Sequence, residues 1–181
     1  MSAPVPSLDQ SRPRTLPAVI AAMIMAPLGA LVCGVIMFGL AMGRLDEPTL
    51  RVLFSAPVPS PLPFRPLMLV ATLVGLIVLV AVVWLVVLLT ARAADRRRGF
   101  AAVFFGTWLA TILGGWLAAL ASTPVMFVAM RYPADLVGQL VLQRISAGGG
   151  WGLYWGWLTG LVCALIFEPA LLGPTKAEEE A

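Results

Sequence analysis

The residues able to do chemistry are few. The chain has no histidine, which removes imidazole as a haem, zinc or copper ligand and as the base of a Ser/His or Cys/His nucleophile pair. Its two cysteines, Cys33 and Cys163, stand singly inside apolar runs, without CxxC or metal-ligand spacing. They read as small apolar fillers. A disulfide between them would require the two to be neighbours in space.

Carboxylates are as sparse, and a proton relay or coupled transporter needs an ionisable group turned into its interior. Glu168, before Pro169 at the end of the last apolar run, is the one acid that approaches this description. Arg92 and Arg96 fall at a similar depth, so Glu168 reads as half of an interfacial ion pair or, alternatively, as a transport site. Asp46, Glu47 and Asp135 lie between runs as solvated or capping groups. Thr107, Thr111, Thr123 and Thr159 are expected to bond their own helices or a neighbour. Gly148 to Gly152 is followed by tryptophans and lacks the Lys/Ser partner of a phosphate loop. The reading is therefore non-catalytic, with no cofactor and no metal.

These side chains must be positioned by apolar helices. Of 181 residues, 60% are apolar and 12% charged, more apolar surface than a soluble domain of this size can hide. Four runs, 17–42, 67–90, 100–123 and 150–172, reach the roughly 20 residues needed to cross hydrocarbon. The first is too long for a signal-peptide core, and Val32 before Cys33 is too bulky for lipoprotein processing. The expected fold is an all-α four-helix transmembrane bundle over 17–172. A cytoplasmic tail at 1–16 and an acidic one at 173–181 flank it.

Orientation follows from the basic residues, eleven of whose twelve are arginine. Placing Arg92, Arg96, Arg97 and Arg98 in the cytoplasm puts both termini there and leaves seven basic residues inside against five outside, as retention of basic loops requires. The arginine, alanine and proline bias fits a high-GC bacterium, hence an inner-membrane location. Phe100, Phe104, Phe105 and Trp108 would then form the inner aromatic belt. Tyr132, Trp151, Tyr154, Trp155 and Trp157 would form the outer one. Basic residues at the ends of apolar runs, with no aromatic-rich basic stripe, argue against nucleic-acid binding.

Both outer loops carry pattern. A short helix is expected from Pro48 to Phe54, capped by Asp46. The alternate prolines Pro57, Pro59, Pro61, Pro63 and Pro66 then impose a stiff extended strap. In the second loop, 133–146 is amphipathic, which predicts a short helix lying flat at the interface and stopped by Gly148, Gly149 and Gly150. It either caps the bundle or binds a partner. Pro27 should kink the first span, and Pro124 should end or bend the third.

Small residues recur every four positions in three spans. Ala22, Ala26, Ala30 and Gly34 mark the first, Gly106, Ala110, Gly114 and Ala118 the third, and Gly152, Gly156, Gly160 and Ala164 the fourth. Such stripes let backbones approach closely where lipid gives no hydrophobic drive between helices. Spans one, three and four are expected to pack on one another, with the second at the periphery. The stripes serve packing within the chain or an interface with another membrane subunit. Together these features indicate an accessory, assembly or scaffold subunit of a larger membrane complex, contacting lipids and a protein partner or itself. The alternatives are a small oligomeric transporter or channel using Glu168 and, less supported, a lipid-modifying enzyme.

Overall fold

The computed structural model describes residues 15–43, 50, 54–62, 64–94 and 99–167. Long uncharged runs can satisfy their backbone groups in lipid only internally, as helices, and four form among the described residues: α1 (Thr15–Met42), α2 (Pro66–Ala93), α3 (Gly99–Met130) and α4 (Val137–Phe167). A 3-10 turn, Ala134–Leu136, leads into α4. Each helix is long and apolar enough to cross a membrane; 28 residues reach about 42 Å at ~1.5 Å per residue. The chain is an all-α, multi-pass membrane bundle.

Side-chain size is sorted inside out relative to a soluble core. Ala18, Ala22, Ala26 and Ala30 of α1 are fully buried, while Ile20, Ile24, Leu28 and Val32 on its other face are exposed. In α3, Ala110 and Ala118 are buried and Leu109, Trp116 and Leu117 are exposed. Large apolar groups gain nothing by leaving lipid, whereas small ones bring backbones into van der Waals contact.

Each helix packs on its neighbour in sequence, and α1 closes the ring against α4. The expected trio of α1, α3 and α4 does not form as such, because α1 rests on α2 and α4 rather than on α3. α2 is the least buried of the four, yet its Leu79, Val83 and Val87 lie in the centre of the core.

The second outer loop departs from expectation. Instead of a flat helix stopped at Gly148, one continuous helix runs from Val137 to Phe167, with all three glycines inside it. Glycine breaks helices in water partly by exposing the backbone to solvent; in lipid that competitor is missing, and here the glycines make room. A Cβ on Gly148 would strike the carbonyl of Gly115, and one on Gly149 would strike Trp116. The fourth span therefore begins at Val137 rather than 150, which moves Trp151 to Trp157 from an interface to mid-helix. Trp151 is buried in the core instead of joining a belt. Likewise α3 continues through Pro124 to Met130. It ends where Arg131 takes φ 53° and Tyr132 N–H bonds the Phe127 carbonyl at 3.4 Å, a Schellman-type stop.

Candidate functional site

Arg92 and Arg144 are the two charged residues in the four helices. Arg92 occupies the last turn of α2 and is exposed. Its expected partner Glu168 lies outside the described residues, as do Arg96, the other arginine of that expected pairing, residues 1–14, the acidic tail and most of the 48–54 helix. Within that segment, Phe54 N–H bonds the Leu50 carbonyl at 2.9 Å. The site the structure does assemble is built on Arg144.

Arg144 continues the α4 stripe one step beyond its glycines, at positions 144, 148, 152, 156 and 160, and so faces the bundle. Its Nη2 donates to the Pro57 carbonyl at 3.0 Å and to Ser122 Oγ at 3.3 Å. Nε is buried without an acceptor. Ser122 lies about 11 Å along α3 from its midpoint at ~1.5 Å per residue, inside the roughly 15 Å half-thickness of a hydrocarbon core centred there.

The partner of Arg144 is the proline strap, which enters the bundle instead of covering it. Pro57, Val58 and Pro59 are buried. Val58 packs against Gly75 of α2, where a Cβ would lie 2.6 Å from Val58 Cγ1. Non-helical backbone survives at membrane depth only if its polar groups are met by protein. Prolines have no N–H to satisfy, which leaves their carbonyls. Arg144 serves Pro57, and Thr72 Oγ1 donates to the Pro59 carbonyl at 3.0 Å. The extended backbone expected of the strap is seen at its end, where Arg65 has φ −85° and ψ 131°.

Above this junction opens a cavity of about 1040 Å³. Its walls come from the last turns of α1 (Gly34, Met37, Phe38, Ala41), the strap (Val58, Ser60, Leu62, Arg65), the end of α3 (Met126, Met130) and the start of α4 (Leu140, Gln143, Arg144). No acidic residue stands among the described residues lining it. Below it, Ala26, Ala30, Leu79, Val83, Ala110 and Ala118 are buried in one continuous core.

That core holds the expected packing residues. Ala22, Ala26, Ala30, Gly34, Ala110, Gly114, Ala118, Gly152, Gly156, Gly160 and Ala164 are buried; Gly106 is half-buried against Thr90. Gly152 and Gly160 sit on the α3 backbone, where a Cβ would come within 2.5 Å of Ile112 Cα and 2.7 Å of the Phe104 carbonyl oxygen. Tryptophan N–H groups add cross-helix bonds, from Trp155 to the Met25 carbonyl and from Trp108 to that of Leu153, both at 3.1 Å. Cys33 and Cys163 are buried and free. Thr111, Thr123 and Thr159 bond carbonyls of their own helices, whereas Thr107 Oγ1 is buried beside the Cys163 thiol.

No protein-family model, curated protein or solved structure matches this chain. Arg144 is one of the five basic residues that the charge pattern places outside. The signal for its inward placement is its phase on the glycine stripe.

Proposed function

We propose that this membrane protein is a non-catalytic accessory subunit of a larger membrane complex, a binding component rather than a conduit. The observation that supports it is the shape of the interior. A wide cavity with a fixed positive charge occupies one end of the bundle, and beneath it the helices meet through fully buried alanine, valine and leucine side chains. A dead-ended cavity suits retention of a ligand or partner group, not its passage. In a bacterial inner membrane with both termini cytoplasmic, the cavity would face outward. Purification in mild detergent from native membranes should recover the chain with a stoichiometric membrane-protein partner. A monodisperse monomer without one would count against an accessory role.

The transporter reading keeps one specific support, Arg144 itself, since a charged group inside the membrane commonly marks a substrate path. In that reading Arg144, rather than Glu168, contacts the solute. Arg144→Lys should then retain part of the proteoliposome flux that Arg144→Met abolishes, whereas an accessory subunit gives no flux in either form.

A further inference from the structure

We propose that the cavity is a site for an anionic phospholipid, with Arg144 as counter-ion to the phosphate and the methionine-lined walls receiving the upper part of an acyl chain. This goes beyond the accessory role and does not depend on it.

Charge complementarity carries the argument. Arg144 has a guanidinium with five N–H donors. Two bonds run from Nη2 to the protein, Nε has no acceptor, and no hydrogen bond of Nη1 occurs among the described residues. Neither Pro57 nor Ser122 carries charge, so among the described residues the cation has no counter-ion. Arg144 is half-buried with its Nε fully enclosed; a charge drawn out of water without a counter-ion is costly, and an anion entering from the cavity would neutralise it. Arg65 lines the same cavity and no described acid does, so the charges of the described lining residues are all positive.

The walls select the anion. Met37, Met68, Met126 and Met130, with Phe38 and Leu140, surround the charged end. Methionine adapts to irregular apolar shapes, and inorganic phosphate would leave such walls wet. The cavity, about 1040 Å³, is at the upper end of the roughly 300–1,000 Å³ of small-ligand sites. It accepts a glycerophosphate with part of a chain. The depth of Ser122 sets the guanidinium just inside the hydrocarbon edge, level with the phosphates of one leaflet to within a side chain's reach. The partners of Arg144 point it there, since the strap on one side and α3 on the other fix its head.

The test is native mass spectrometry of the full chain, delipidated in detergent and titrated separately with phosphatidylglycerol, phosphatidylcholine and inorganic phosphate. Wild type should retain one phosphatidylglycerol with a preference of about tenfold over phosphatidylcholine, the order a charge-assisted contact supplies. Arg144→Met should reduce that preference to near unity, and Arg144→Lys should keep most of it. Arg131→Gln, which removes an exposed arginine at the same end, should leave it unchanged. Because Arg144→Met also removes the strap's donor, Ala41→Trp provides a second arm. It narrows the cavity with Arg144 intact and should lower occupancy by a similar factor. Equal retention of the two lipids, an unaltered preference in Arg144→Met, an unaltered occupancy in Ala41→Trp, or an equal loss in Arg131→Gln would overturn the proposal. Saturable binding of phosphate that displaces the lipid would also overturn it, in favour of a free anion.

Discussion

Arg144 Nη2 donates to the carbonyl of Pro57, 87 positions earlier in the chain, at 3.0 Å. This bond ties the start of α4 to a proline strap that would otherwise bury a carbonyl with no donor. Arg144→Met should therefore destabilise the bundle by about 1–3 kcal/mol, the cost of an unsatisfied buried acceptor. Arg144→Lys should recover part of that loss. Reversible unfolding in mixed micelles gives both values. Equal stability of wild type and Arg144→Met would show that the strap does not need this donor.

Close backbone approach makes a second, sharper contrast. Gly152→Val places a branched side chain where Ile112 Cα already stands, and should cost at least about 2 kcal/mol or prevent folding, as overpacking of a tight core does. Gly39 and Gly138 have nothing within 4 Å of a built Cβ. At those sites Gly→Ala should be neutral or stabilising by roughly 0.5–1 kcal/mol, because helical glycine loses the most chain entropy. Thermal midpoints of the three variants in one detergent would separate the cases.

These glycines also explain how far the sequence could be read. Charge-free length was enough for α1, α2 and most of α3, since in lipid the backbone has no alternative to helix. The four-residue stripes identified buried faces. The same rule misled at Gly148 to Gly150, where a soluble-protein stop signal was applied to residues whose missing side chains let α3 and α4 touch. Reading the break there detached Arg144 from the stripe to which its phase assigns it. Insertion of the strap was harder to anticipate. Alternate prolines signal extended backbone, but burial depended on donors from Thr72 on the next helix and from Arg144, 87 positions on from Pro57.

Trp155 bonds the Met25 carbonyl across the contact between α1 and α4. Trp155→Phe keeps the ring and loses the N–H, and should cost about 0.5–1.5 kcal/mol, the net worth of one such bond. Hydrogen exchange should quicken in α1 around Met25 and not in α3. Uniform quickening across the bundle would argue against a local tie.

At the end of α3, Arg131 holds a left-handed backbone that costs a non-glycine residue roughly 1–2 kcal/mol. Arg131→Gly should leave the helix end intact and raise stability by up to about 1 kcal/mol, provided the Schellman stop is correct. A lower unfolding midpoint would mean that the Arg131 side chain, not the turn, holds this end.

The burial of the strap is most directly tested by a cross-link between Val58 and Gly75. A Cβ on Gly75 would lie 3.4 Å from that of Val58, close to the roughly 3.5–4.5 Å spanned by a disulfide. With Cys33 and Cys163 replaced by alanine, Val58→Cys together with Gly75→Cys should join on diamide treatment of intact membranes, and the linked peptides should be found by mass spectrometry. If both thiols instead stay free and Val58→Cys alone reacts with an impermeant maleimide, the strap lies outside the bundle. Arg144 would then have no buried carbonyl to serve.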